Sequence, residues 1–155
     1  MVLGYLSDLE LFDQLPLIFD GVLIPTRVFK ELGRAPRKLK AQVKNVLSTQ
    51  GDFYRRCTEV DEVIISFYED SVDAGEAEAV AQAGDHSAAV LSDDRAAYVL
   101  ATGMGLEVVR TGRLLLHLKE AGAIAEVRPV LDSLRKLGGR LGDEPYAALV
   151  AEAGE

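Results

Sequence analysis

The sequence predicts an α/β fold built on a mainly parallel sheet, and three observations predict it. Short apolar runs bounded by turn residues have the length and β-branched content of buried strands: Val22-Leu23-Ile24, Ala88 to Leu91, and Leu106 to Arg110. The later half then alternates regularly, with helices predicted over about Gly75 to Ala83, Asp93 to Met104 and Thr111 to Ala121 between those strands. Strand-helix-strand spacing of this kind calls for parallel pairing through right-handed crossovers. Finally, 155 residues with 48% apolar and 27% charged side chains suit a single domain, 1–155, with a real core.

Each element has a local cause. Leu6, Leu9, Phe12, Leu15 and Ile18 share one face, so Leu3 to Ile18 reads as one or two short helices. Pro25 closes the first strand, and Thr26 is placed to cap a helix through Val28, Phe29 and Leu32 that ends at Gly33. Pro36 opens another helix, with Leu39, Val43, Val46 and Leu47 inward. Cys57 to Val63 has strand character, and Asp70 to Asp73 is a loop. Gly105 and Gly122 end the later helices. Two further helices are predicted near Val127 to Leu137 and Asp143 to Glu152, separated by Gly138-Gly139. The glycine-rich run from Gly138 to Gly142 does not follow a strand in phosphate-loop fashion and reads as a connection.

Composition narrows the function. The single cysteine, Cys57, cannot form an internal disulfide, which suits a reducing, cytoplasmic location. No apolar run reaches the roughly 18 residues of a membrane span, and no basic stretch precedes the N-terminal apolar residues as in a signal peptide. The net charge of −8 argues against a protein that coats nucleic acid. The charge is nevertheless uneven: Arg27, Lys30, Arg34, Arg37, Lys38, Lys40 and Lys44 are seven of the 17 basic residues, and acidic residues crowd from Glu59 to Glu78. The basic stretch is either a solvated helical face or a phosphate-guiding patch beside an acidic site.

The acids are arranged to converge. Glu76 and Glu78 open one predicted helix, and Asp93 and Asp94 end the next strand, where parallel α/β sheets place their sites. Glu31, on the helix after the first strand, is a fifth candidate. Such oxygen clusters bind hard divalent ions, Mg²⁺ or Mn²⁺, which activate water for phosphodiester cleavage. Each acid has a plainer explanation too, as a helix cap or a first-turn residue favoured by the helix dipole. Residues two apart on a helix do not face the same way, so Glu76 and Glu78 reach one ion only if Glu76 lies in cap geometry. His86 and His117 lack metal-ligand spacing, which argues against zinc.

At these residues the chain resembles the PIN-domain nucleases, in particular a branch close to the VapC-type toxins, and the likeness covers nearly the whole sequence. It is carried by Val22-Leu23-Ile24-Pro25 with Val28 to Leu32, by Gly75-Glu76-Ala77-Glu78-Ala79-Val80, by Leu91 to Ala97, and by Gly105 to Ile124. The Glu-Ala-Glu-Ala run is also similar to flap endonucleases. The resemblance implies a three-layer α/β/α sandwich and RNA cleavage dependent on Mg²⁺ or Mn²⁺. It makes Glu31, Glu76 and Asp94 catalytic and metal-binding, with Glu78 and Asp93 as further metal ligands; if the basic stretch guides phosphates, Arg27, Lys30, Arg34, Arg37 and Lys38 position the RNA. It also implies a homodimer and a small antitoxin partner. PIN domains begin with a strand carrying an aspartate, and Met1 to Leu6 looks like the sequence just after it. That strand is expected to be missing, with its place taken by another chain's strand or by Val2 to Leu6. A catalytically inactive module that binds protein or RNA is the alternative function.

Overall fold

The computed structural model describes residues 2–57 and 62–155. Helix α1, Val2–Asp8, starts the fold, and a 3₁₀ helix follows at Phe12–Leu17. Strand β1, Val22–Pro25, leads into α2, Thr26–Glu31, and then α3, Arg37–Thr49. Strand β2 is Tyr54–Cys57 and α4 is Glu62–Tyr68. The alternating half follows: α5 Ala74–His86, β3 Val90–Leu91, α6 Arg95–Gly103, β4 Val108–Val109 and α7 Thr111–Glu120. Helices α8, Arg128–Lys136, and α9, Asp143–Glu152, complete it.

The fold is α/β, and among the described residues the strands pair in two separate parallel sheets of two strands each. β1 pairs with β2, Val22 opposite Tyr54 and Pro25 opposite Cys57. β3 pairs with β4, Val90 opposite Val108 and Leu91 opposite Val109. The crossover through α6 is the unit that the alternating pattern predicts.

Two expectations are corrected. Val2 to Leu6 does not serve as a strand; it is helical, because Val2 and Leu6, four apart, both face the main core. Of the strand expected over Cys57 to Val63, Cys57 closes a strand that begins earlier, at Tyr54, with its two end residues buried. Thr58 to Asp61 fall outside the described residues. Val63 itself belongs to α4, where Ile65 is fully buried while Val63 and Phe67 project outward.

Burial explains why these elements hold together. The largest core joins α1, the 3₁₀ helix, β1, α3 and β2 to α7, α8 and α9, through Leu6, Leu15, Ile24, Val43, Tyr54, Leu114, Leu118, Leu131 and Val150. Tyr54 donates its hydroxyl hydrogen bond to the Phe12 carbonyl, and burial pushes its phenol well above the usual range. A smaller core of alanines and Ile65 joins α4, α5 and α6. Alanine on facing helices permits close approach there, which draws the start of α5 beside the start of α6.

The sheets leave a cleft between them. Val22 donates its N–H to the Phe53 carbonyl. A parallel ladder alternates, so the N–H and C=O of Leu23 point away from β2. Val90 and Ser92 donate to the Glu107 and Val109 carbonyls, so Leu91 likewise points away from β4. The two outward edges border an apolar cleft of about 230 Å³, lined also by Val2, Leu3, Val28 and Ala79.

Candidate active site

The apolar cleft continues into a second one of about 480 Å³ at the carboxyl ends of β1 and β3. Glu31, Asp73, Glu76 and Asp93 line it together. A third cleft of about 790 Å³ adjoins it, lined by Glu76, Asp93 and Asp94 with Arg110, Arg113 and Arg140. Glu76 and Asp93 border both, so the acids stand at the junction.

Glu76 lies in the first turn of α5, whose N-cap is Asp73. Its carboxylate accepts a hydrogen bond from the Asp73 backbone N–H, half of a capping box. Burial nevertheless holds its pKa above the ordinary glutamate value, with the charges of Asp94 and Asp73 pushing the same way. Glu76 is therefore a carboxylate whose charge is incompletely compensated, beside two others.

Asp94 is the N-cap of α6: one carboxylate oxygen accepts the Ala97 N–H at 2.9 Å, and the Asp94 N–H donates to the Ser92 hydroxyl at 3.1 Å. The helix thus starts two residues later than the sequence suggests, with Asp94 as its cap. Asp93 instead reaches across to α7. Its two oxygens accept the Thr111 N–H at 2.8 Å and the Thr111 hydroxyl at 2.6 Å.

Glu31 is exposed on α2 and enters the cleft because Gly75 makes room. A Cβ on Gly75 would stand 2.5 Å from Glu31 Oε1 and 3.2 Å from the Val28 side chain. Gly75 is thus a positioning residue, and a glycine in the first turn of a predicted helix, ordinarily unfavourable, was the signal for it.

Glu78 is brought elsewhere. It is fully buried, and its carboxylate accepts the backbone N–H of Thr26 at 3.1 Å and of Arg27 at 2.5 Å, and the Gln82 side-chain amide at 3.2 Å. It supplies the cap of α2 that Thr26 was expected to provide. Thr26 is the first helical residue, and its hydroxyl donates to the Cys57 carbonyl at 2.8 Å.

The basic candidates are dispersed. Arg27 is held by Glu62, at 2.6 Å, and by Glu69. Lys38 lies 4.0 Å from Glu10. Lys30 and Arg37 are exposed, and Arg34 lines the acidic cleft together with Glu76. Among the other sequence candidates, the Cys57 thiol lies 3.5 Å from His86 Nε2, and His117 sits at a surface with Nδ1 3.3 Å from Glu120.

The donors at the junction are carboxylate oxygens, which suit a hard divalent cation in chemistry. In number they fall short: among the described residues, no three Asp, Glu, His or Cys side chains are grouped to hold a metal ion. A family model described as a PIN domain matches the chain over residues 1–155. No curated protein and no solved structure matches it.

Proposed function

We propose that this chain, which belongs to the PIN-domain family, is a metal-dependent endoribonuclease of the VapC toxin type. The family implies a nuclease-like function in general terms. The observation that carries the finer reading is the meeting of Glu31, Asp73, Glu76 and Asp93 in one cleft, with Asp94 beside it. Burial, with the charges of Asp94 and Asp73 added to it, raises the pKa of Glu76 there.

Glu76, Asp94 and Glu31 would hold Mg²⁺ or Mn²⁺. When bound, such an ion lowers the pKa of its water and stabilises charge on the phosphate. Asp93 acts as a positioning residue by fixing the start of α7 against the end of β3. Ser92 orients the Asp94 backbone. Glu78 stands behind the site and holds α2, and with it Glu31, against α5.

The family's first strand fits the same reading. A strand parallel to β1 and β3, laid in the cleft between them, would meet the outward edges of Leu23 and Leu91 and join the two sheets into the central layer of an α/β/α sandwich. Its carboxyl end would emerge among the acids, where an aspartate would add the ligand that the grouping lacks. A homodimer, a small antitoxin and a cytoplasmic location belong to the same proposal. No helix among the described residues is long and apolar enough to cross a membrane.

The test is Mn²⁺-dependent cleavage of a mixed single-stranded RNA by the chain and by Asp94→Asn. Asparagine keeps the α6 cap, so a loss of cleavage in a folded variant reports chemistry. Undiminished cleavage by Asp94→Asn would remove it from the site. The incomplete grouping favours a second reading, an inactive module that binds protein or RNA; absence of cleavage even with a supplied first strand would select it.

A further inference from the structure

We propose that the cleft between α6, α7 and the α8–α9 connection is a single-stranded RNA path, with Arg110 and Arg140 taking phosphates and Tyr98 offering a stacking face. This rests on the ribonuclease reading and names where its substrate lies. The cleft, of about 790 Å³, opens directly beside Glu76 and Asp94, so a strand lying in it presents a phosphate to the acids. Arg34 does not line it and borders the neighbouring acidic cleft instead.

Three features point to a nucleic-acid backbone. Arg140 is exposed and has no carboxylate partner among the described residues, in a chain of net charge −8. Arg110 donates to the Asp93 carbonyl at 3.1 Å. That bond occupies one of a guanidinium's five N–H donors and anchors the group at the strand end that carries the acids. Its guanidinium carbon also lies 6.0 Å from the centroid of the Tyr98 ring, which is 42% exposed. An exposed aromatic face beside an arginine suits an unstacked base and a phosphate, the recognition pair of single strands. In a duplex the bases would be out of its reach.

The basic stretch on α2 and α3 is less suited. Arg27 is already bound by two carboxylates, and Arg37 and Lys38 do not line either acidic cleft.

Binding is read by fluorescence anisotropy with a labelled mixed-sequence RNA of about 12 nucleotides, in EDTA so that binding is separated from cleavage. Arg110→Ala, Arg140→Ala and Tyr98→Ala should each weaken binding by about 3- to 10-fold, and the two arginine variants should each lower the salt slope by about one. Arg37→Ala should stay within about twofold of the parent. Arg140, exposed and with no side-chain bond among the described residues, keeps the test clear should Arg110→Ala disturb the fold. Parent-like binding by Arg140→Ala and Tyr98→Ala overturns the path, as does an equal loss in Arg37→Ala, or equal affinity for a duplex. If binding follows this pattern while Mn²⁺ supports no cleavage, the path stands and the nuclease reading falls. If RNA is cleaved but none of the three variants binds more weakly, the reverse holds.

Discussion

Glu76 and Glu78 stand two positions apart on one helix and live in opposite surroundings. At the α5–α2 contact, Glu78 is fully buried and its carboxylate accepts two backbone N–H groups and a side-chain amide. At the α5–α6 contact, Glu76 is half-buried, has one backbone donor, and faces the charges of Asp94 and Asp73. An acid-rich motif thus divides its labour within a single turn. One carboxylate completes the fold, and the other remains available for chemistry. Glu155 is a third case, and it falls on the side of Glu78. It accepts from Lys119 Nζ at 2.8 Å and from the Val127 and Arg128 backbone at 2.6 and 2.9 Å, and those donors hold its pKa down to about 2.

Loss of the buried carboxylate should matter most. Glu78→Ala should cost about 3 kcal/mol of stability in urea unfolding, because it leaves buried N–H groups at the start of α2 without acceptors. A loss below about 1 kcal/mol would mean that water or a neighbouring group replaces the carboxylate.

Acid titration sharpens the comparison with Glu155. Its pKa is lowered from 4.5 to about 2, so its stabilising contribution is complete above pH 4.5 and is lost as pH falls toward 2. Glu155→Gln should flatten the stability loss in that window, measured by urea midpoints at successive pH values. An unchanged acid limb would show that the Lys119 and α8 contacts do not form in solution.

Glu76 has the opposite sign. Its raised pKa makes its charge unfavourable to folding at neutral pH, and the penalty fades as pH falls toward the ordinary glutamate value of 4.5. Glu76→Gln should therefore stabilise the protein at pH 7, by less than about 1 kcal/mol because solvent screens a half-exposed group. Destabilisation by that variant would place Glu76 with Glu78 as a structural cap.

Gly75→Ala should have the smallest effect on stability, within about 1 kcal/mol, because Glu31 can swing away from the added methyl group. It should still lower RNA cleavage by displacing Glu31. Equal activity with and without the methyl group would remove Glu31 from the working acids.

Much of the architecture was readable in local pattern. The alternation from Gly75 onward specifies helices and parallel strands because periodicity and glycine stops act within a few residues. Val63 has strand character in the sequence but is helical in α4, where the burial of Ile65 selects a helix. For the acids, the sequence marks which residues are concentrated at helix starts and strand ends, since dipole and capping preferences are local too. It does not show which of them has its oxygens already bonded. Glu78 is 52 positions from Thr26, and Asp93 is 18 from Thr111, so these bonds exist only once β1, α5 and β3 are packed. The same holds for the arginines. The dense run on α2 and α3 stands out in the sequence, whereas Arg110 and Arg140, 30 positions apart, border one cleft because α7, α8 and α9 fold over it. The alternating element order from Gly75 onward and the supply of carboxylates are written in the sequence alone. Tertiary structure decided which carboxylates are saturated and which face one another, because burial and long-range donors set the free energy of a charge.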